Sequence, residues 1–123
     1  MKSGIVLMYN CSAPGFSKLK QIFAMLKLRM RVVTPDKYHL SLLELAEGTG
    51  EAGEAGEAFP ESALVFCGMN GPFLNQVLEV IRVAKLPPIH FKAVLTEDNK
   101  QWNSIQLMEE LRKEKEALEA EQA

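Results

Sequence analysis

GIVLMYNCSAPGF, residues 4–16, and ALVFCGMNGPF, residues 63–73, decide the fold between them. Each opens with a continuous apolar run, Gly4 to Tyr9 or Ala63 to Cys67. Each then breaks into Gly, Pro and Asn and ends on a phenylalanine that starts a helical stripe. An apolar run of five or six residues bounded by turn residues reads as a strand buried on both faces. Phe16, Leu19, Ile22, Phe23 and Leu26 follow the first run at helical spacing, with Lys18, Lys20 and Lys27 on the other face. Leu74, Val77, Leu78, Ile81 and Ala84 follow the second, until Pro87-Pro88 stops the helix.

Working outward, each helix leads to a strand of a different kind. Lys27, Arg29 and Arg31 alternate with Leu28, Met30 and Val32, and Ile89, Phe91, Ala93 and Leu95 alternate with His90, Lys92 and Val94. A period of two with charge on alternate residues is the pattern of a half-exposed strand. These strands end at Thr34 and Thr96, and a further helix is expected after each. Asp36 is the expected N-cap of a short helix using Leu40, Leu43 and Leu45. Asn103 and Gln106 form a capping box opening a last helix with the stripe Leu107, Met108, Leu111 and Leu118. The charged face of that helix offers Glu109–Lys113 and Arg112–Glu116 at i,i+4 spacing. Two βαβα halves result, with a correspondence that reads as an internal duplication despite a drift in register.

Fully apolar strands belong in the middle of a sheet and charged, alternating ones at its edges. The order expected from this is 4-1-3-2, a ferredoxin-like α+β sheet with right-handed crossovers. Its open face would be covered by the extra helices or by a dimer partner. A parallel doubly wound α/β sheet is the alternative.

The 123 residues make one domain, 1–123, in which 1–47 and 62–123 are the halves. Residues 48–61, GTGEAGEAGEAFPE, have no apolar face and read as a flexible linker loop that adds nothing to the core. The composition is 47% apolar and 24% charged with a net charge of −2, which excludes disordered, fibrous and strongly basic classes. Residues 1–47 carry seven Lys/Arg against three Asp/Glu, and 48–123 carry seven against thirteen. No run is long enough for a membrane span and the short N-terminal apolar stretch lacks a cleavage site, so a cytoplasmic protein is expected. Cys11 and Cys67 are read as reduced thiols, small hydrophobes at the ends of buried strands.

PIHFKAVLTEDNKQW, residues 88–102, resembles the signature of an uncharacterised bacterial family, the domain of unknown function 3783. The resemblance rests on Lys92, Ala93, Val94, Leu95, Thr96, Asn99 and Trp102 and extends from Ala63 to about Lys113. It implies a bacterial cytosolic protein and brings no activity and no catalytic residue.

The candidate site is Lys92, Thr96, Asn99 and Trp102, at and beyond the end of the fourth strand. A cation, two polar groups and an aromatic face suit a small anionic ligand. The competing reading makes Thr96 and Asn99 turn caps and Trp102 a structural anchor. The loops Asn10–Gly15 and Gly68–Pro72 precede helices but lack the spacing of a phosphate-binding fingerprint. His39 and His90 have no second ligand at metal spacing, and no cofactor motif is present. Lys27, Arg29 and Arg31 without interleaved aromatics read as protection of an edge strand, so nucleic acid is not expected. No nucleophile with a base and no carboxylate pair appears. The expectation is therefore a non-enzymatic binding or regulatory module for a protein or small anionic ligand. The rival is a small enzyme with its site at the carboxyl ends of strands one, three and four.

Overall fold

The computed structural model describes residues 4–11, 16–86 and 89–122. The loop Ser12–Gly15 and the pair Pro87-Pro88, to which a turn and a helix stop were assigned above, lie outside the described residues. Two nearly continuous apolar runs form β1 (Ile5–Tyr9) and β3 (Ala63–Cys67), and the alternating segments form β2 (Arg29–Val32) and β4 (Phe91–Val94). The helices are α1 (Ser17–Met25), α2 (Leu42–Glu47), α3 (Gly71–Val83) and α4 (Ser104–Gln122).

The four strands make one mixed sheet in the order β2-β1-β3-β4. β1 and β3 are central and antiparallel, while β2 runs parallel to β1 and β4 parallel to β3. The expected order 4-1-3-2 is therefore incorrect, as is a wholly parallel sheet. Strand composition separates centre from edge, and both orders put strands one and three in the centre. What separates them is the crossover: each βαβ connection returns its chain beside the strand it left, as consecutive elements tend to do.

Side chains of the central strands alternate between two cores. Val6, Met8, Leu64 and Phe66 meet Leu19, Ile22 and Phe23 of α1 and Val77 and Ile81 of α3. Leu7, Tyr9, Val65 and Cys67 meet Leu42, Leu45 and Ala46 of α2 and Leu107 and Met108 of α4. The extra helix of each half thus covers the second face, giving three layers. Leu118 of the predicted stripe is exposed, because every residue of α4 from Lys113 to Ala120 faces solvent.

Asp36 does not cap a helix. It lies in a 3-10 turn, Pro35–Lys37, where its carboxylate accepts from the Thr34 hydroxyl. The helix starts six residues later, where Ser41 and Glu44 form a capping box, and ends on Gly48, whose φ of 74° favours glycine. The predicted box at Asn103 and Gln106 is present, with both reciprocal bonds at 2.9 Å.

Residues 51–58 are exposed and without regular structure, but the segment is tied down at both ends. The Gly53 N–H donates to Asp36 O at 2.7 Å. Phe59 is half-buried against the α2/α4 core and stacks on Tyr38 at 4.3 Å, contrary to the expectation that the linker adds nothing there. Arg112 lies over the Phe59 ring and forms a two-pronged ion pair with Glu61, both bonds 2.7 Å. Arg112 is thus committed to Glu61 rather than to Glu116, and Lys113 pairs with Glu110 rather than Glu109.

Leu64 and Val65 are fully buried, on opposite faces of β3. Aspartate at either would place an unpaired carboxylate in apolar surroundings. Leu64→Asp and Val65→Asp should each abolish the cooperative thermal transition followed by circular dichroism.

The Glu61 carboxyl is held below its usual value of 4.5, chiefly by its hydrogen bonds from Arg112. A depressed carboxyl stabilises the fold above its unfolded pKa, and that contribution is lost as pH falls through the folded one. Between about pH 5 and 3, the wild-type melting temperature should therefore fall more steeply than that of Glu61→Gln. Parallel curves would show that the pair contributes nothing to folding.

Candidate functional site

Lys92, Thr96, Asn99 and Trp102 do come together, lining one shallow depression of about 250 Å³ beside β4. Its two small polar side chains are spent within the loop. Asn99 Oδ1 accepts from the Thr96 N–H at 2.8 Å, Thr96 Oγ1 accepts from the Asn99 N–H at 3.2 Å, and Asn99 Nδ2 donates to Val94 O at 2.9 Å. Lys92 is exposed and shares the depression with Asp98, Glu110 and Glu114, a lining that disfavours an anion.

The reciprocal Thr96–Asn99 bonds shape a loop whose carbonyls have a partner elsewhere. The Leu42 N–H donates to Trp102 O at 2.8 Å and the Leu43 N–H to Lys100 O at 3.0 Å. The next amide, Glu44, donates to Ser41 Oγ. The first three amides of α2, which a helix cannot satisfy internally, are thus all met, two of them by the other half of the chain. Beneath them the Tyr9 hydroxyl and Ser104 Oγ form a buried bond of 2.7 Å, and the Ser104 N–H donates to Tyr38 O. Burial drives the Tyr9 pKa upward, so the phenol stays neutral. Trp102 packs half-buried against the same core.

A second cavity, of about 290 Å³, opens where β1 and β2 end. The two strands are parallel, but the chain leaves β1 for α1 on one face of the sheet and leaves β2 for α2 on the other. Diverging connections after adjacent parallel strands leave a crevice at their carboxyl ends, where α/β sheets bind ligands. Asn10, Lys20 and Thr34 bring polar groups to it, and Met8, Val33 and Tyr38 bring an apolar wall. Ala58 of the GEA segment borders it. Sequence reasoning missed this site because its residues lie on four separate stretches. The only signal in the chain was that two strands end at turn residues, Asn10 and Thr34.

Cys11 also lines the crevice, but its thiol donates to Tyr9 O at 3.3 Å and is pushed up by burial. Cys67 is pushed up to about 12 by burial. Because β1 and β3 are antiparallel, Cys67 sits opposite Ile5, and Cys11 lies beyond the Tyr9–Ala63 end. About 14 Å of strand separates those two ends. The carboxyl ends of strands one, three and four accordingly do not converge, since β1 ends at the opposite end of the sheet from β3 and β4. His39 contacts Glu51 O, and His90 Nδ1 accepts from the Ser62 N–H at 3.2 Å, a lock between the starts of β3 and β4. Among the described residues no three His, Cys, Asp or Glu side chains form a metal cluster, and no helix is long and apolar enough to cross a membrane.

Residues 62–118 match the model of a family described as Domain of unknown function (DUF3783). The match runs from the residue before β3 into α4 and includes the loop that holds α2, while β1, α1, β2 and α2 fall outside it. No curated protein sequence and no solved structure matches the chain.

The loop at 96–102 should behave as a clasp between halves. Asn99→Ala removes two side-chain hydrogen bonds and should cost about 1–3 kcal/mol in urea unfolding. Trp102→Ala removes a large packed aromatic and should cost about 3 kcal/mol. A stability-neutral Trp102→Ala together with readily quenched tryptophan fluorescence would instead mark an exposed platform.

Proposed function

We propose that the chain works in the cytoplasm as a non-enzymatic binding module for a small anionic ligand, held in the crevice at the carboxyl ends of β1 and β2. The observation that carries this reading is the divergence of the two connections, which leaves about 290 Å³ of space at that sheet end. Lys20 supplies the positive charge, the Asn10 amide, which gives one N–H to Pro60 O at 2.8 Å, has a second N–H to orient the ligand, and Tyr38 closes the apolar wall. The non-enzymatic part of the reading is supported by the state of the two groups nearest to a nucleophile. The Cys11 thiol is held protonated by burial, and the Tyr9 phenol is buried and bonded to Ser104. Placing the ligand here, rather than beside Lys92, follows from charge: Asp98, Glu110 and Glu114 surround Lys92.

A thermal-shift screen with small carboxylates tests the reading. A ligand at about 100 times its Kd adds about 2.7 kcal/mol to the native state, a shift of several degrees for a domain of this size. The shift should disappear in Lys20→Gln and persist in Lys92→Gln. Loss of the shift in Lys92→Gln with Lys20→Gln unaffected would move the site to the β4 depression. A panel without any response would argue for a protein partner instead.

A further inference from the structure

Arg31 is a half-buried cation that carries an unsatisfied donor. Its Nε atom is buried and has no hydrogen-bond partner, and among the described residues its guanidinium enters no ion pair. Such a group is costly to leave unmatched, because an arginine removed from water needs acceptors for its fork of donors. The fork lies flat on Gly48: a Cβ there would meet Cζ and both terminal nitrogens at 2.8–2.9 Å. Glycine at the end of α2 thus serves two ends, the left-handed turn and the room for this side chain.

The surroundings of Arg31 are rich in donors. Arg31 lines a cavity of about 300 Å³ with Lys37, Thr49 and the backbone of Gly50. The Arg29 and Val33 amides donate inward to Gly4 O and Met8 O. In a parallel ladder the alternate amides, of Met30 and Val32, therefore point out of the sheet on its open edge, and both residues line the cavity. Glu44 Oε1 accepts from the Ser41 N–H in the capping box. Its other oxygen, Oε2, lies 3.0 Å from where a Cβ on Gly50 would stand.

We infer that this cavity is a binding site for a phosphate group, either inorganic phosphate or the phosphomonoester of a small metabolite. The guanidinium takes two phosphate oxygens in a forked pair, the geometry at which arginine exceeds lysine. Lys37 adds a second positive charge, and the edge amides are within the same cavity to complete the shell. The inference is independent of the crevice described above, which uses Lys20 and lies at the ends of the strands rather than along the free edge of β2.

Calorimetric titration of the full chain with inorganic phosphate and with glycerol phosphate, at constant ionic strength, tests it. Both should bind to the wild type. Arg31→Met, which keeps the apolar stem, should weaken binding by about tenfold or more, and Arg31→Lys should recover only part of it. Lys37→Gln should lose a smaller factor, while Arg29→Gln and Lys20→Gln should bind as the wild type does. Tighter binding of glycerol phosphate would identify a metabolite ester as the ligand, and equal binding the free anion. Circular dichroism melts of each variant confirm folding, and Arg31→Lys, which keeps the charge, replaces Arg31→Met if the latter does not fold. Absence of binding by the wild type at millimolar phosphate and glycerol phosphate overturns the inference, as does an affinity unchanged in both Arg31 variants. A loss confined to Lys20→Gln would assign the phosphate to the crevice and overturn it equally.

Discussion

Five residue pairs, from Ile5 opposite Cys67 to Tyr9 opposite Ala63, join the two halves of the chain along one antiparallel seam. All ten side chains but that of Ile5 are buried, and they alternate between two cores, so a slip of one residue would exchange the contents of the two faces. Every other element is positioned by reference to this seam. β2 and β4 add to its outer sides, α1 and α3 cover one face, and α2 and α4 the other. The same seam puts the carboxyl ends of β1 and β3 at opposite ends of the sheet.

The second constraint is the disposal of backbone groups on α2. A six-residue helix has almost no internal hydrogen bonding, and it persists because Ser41, Lys100 and Trp102 accept its first three amides. This couples the halves through the loop after β4, whose own shape comes from Thr96 and Asn99. The polar residues that give this stretch its distinctive look are thus occupied with architecture. The Tyr9–Ser104 bond beneath it allows a phenol to be buried in the core at little cost, because its hydroxyl is matched.

The segment between α2 and β3 combines freedom and restraint. Its GEA triplets are exposed, yet Phe59 on Tyr38 and Glu61 on Arg112 pin its far end across the α2/α4 layer. Its near end crosses the Arg31 cavity at Thr49 and Gly50, and Ala58 reaches the β1/β2 crevice. This irregular segment therefore borders both the Arg31 cavity and the β1/β2 crevice, as loops on a rigid scaffold commonly do.

What the sequence by itself determined is the character of each element. Buried runs became central strands, alternating runs became edges, helical stripes at Leu19–Phe23 and Val77–Ile81 became the packed faces of α1 and α3, and the Asn103–Gln106 box opened α4. These outcomes depend on interactions within a few residues or on the contrast between water and an apolar interior, both legible locally. The start of α2 was legible too, in Ser41 and Glu44, but Asp36 after a proline carried a competing signal. Only the tertiary structure decided which edge strand joins which central strand, because either order buries the same side chains. It also decided that Arg112 reaches Glu61 and that the Arg31 guanidinium stands over Gly48. Those contacts join residues far apart in the chain, and their energies depend on distance and burial in space, quantities that composition and periodicity do not contain.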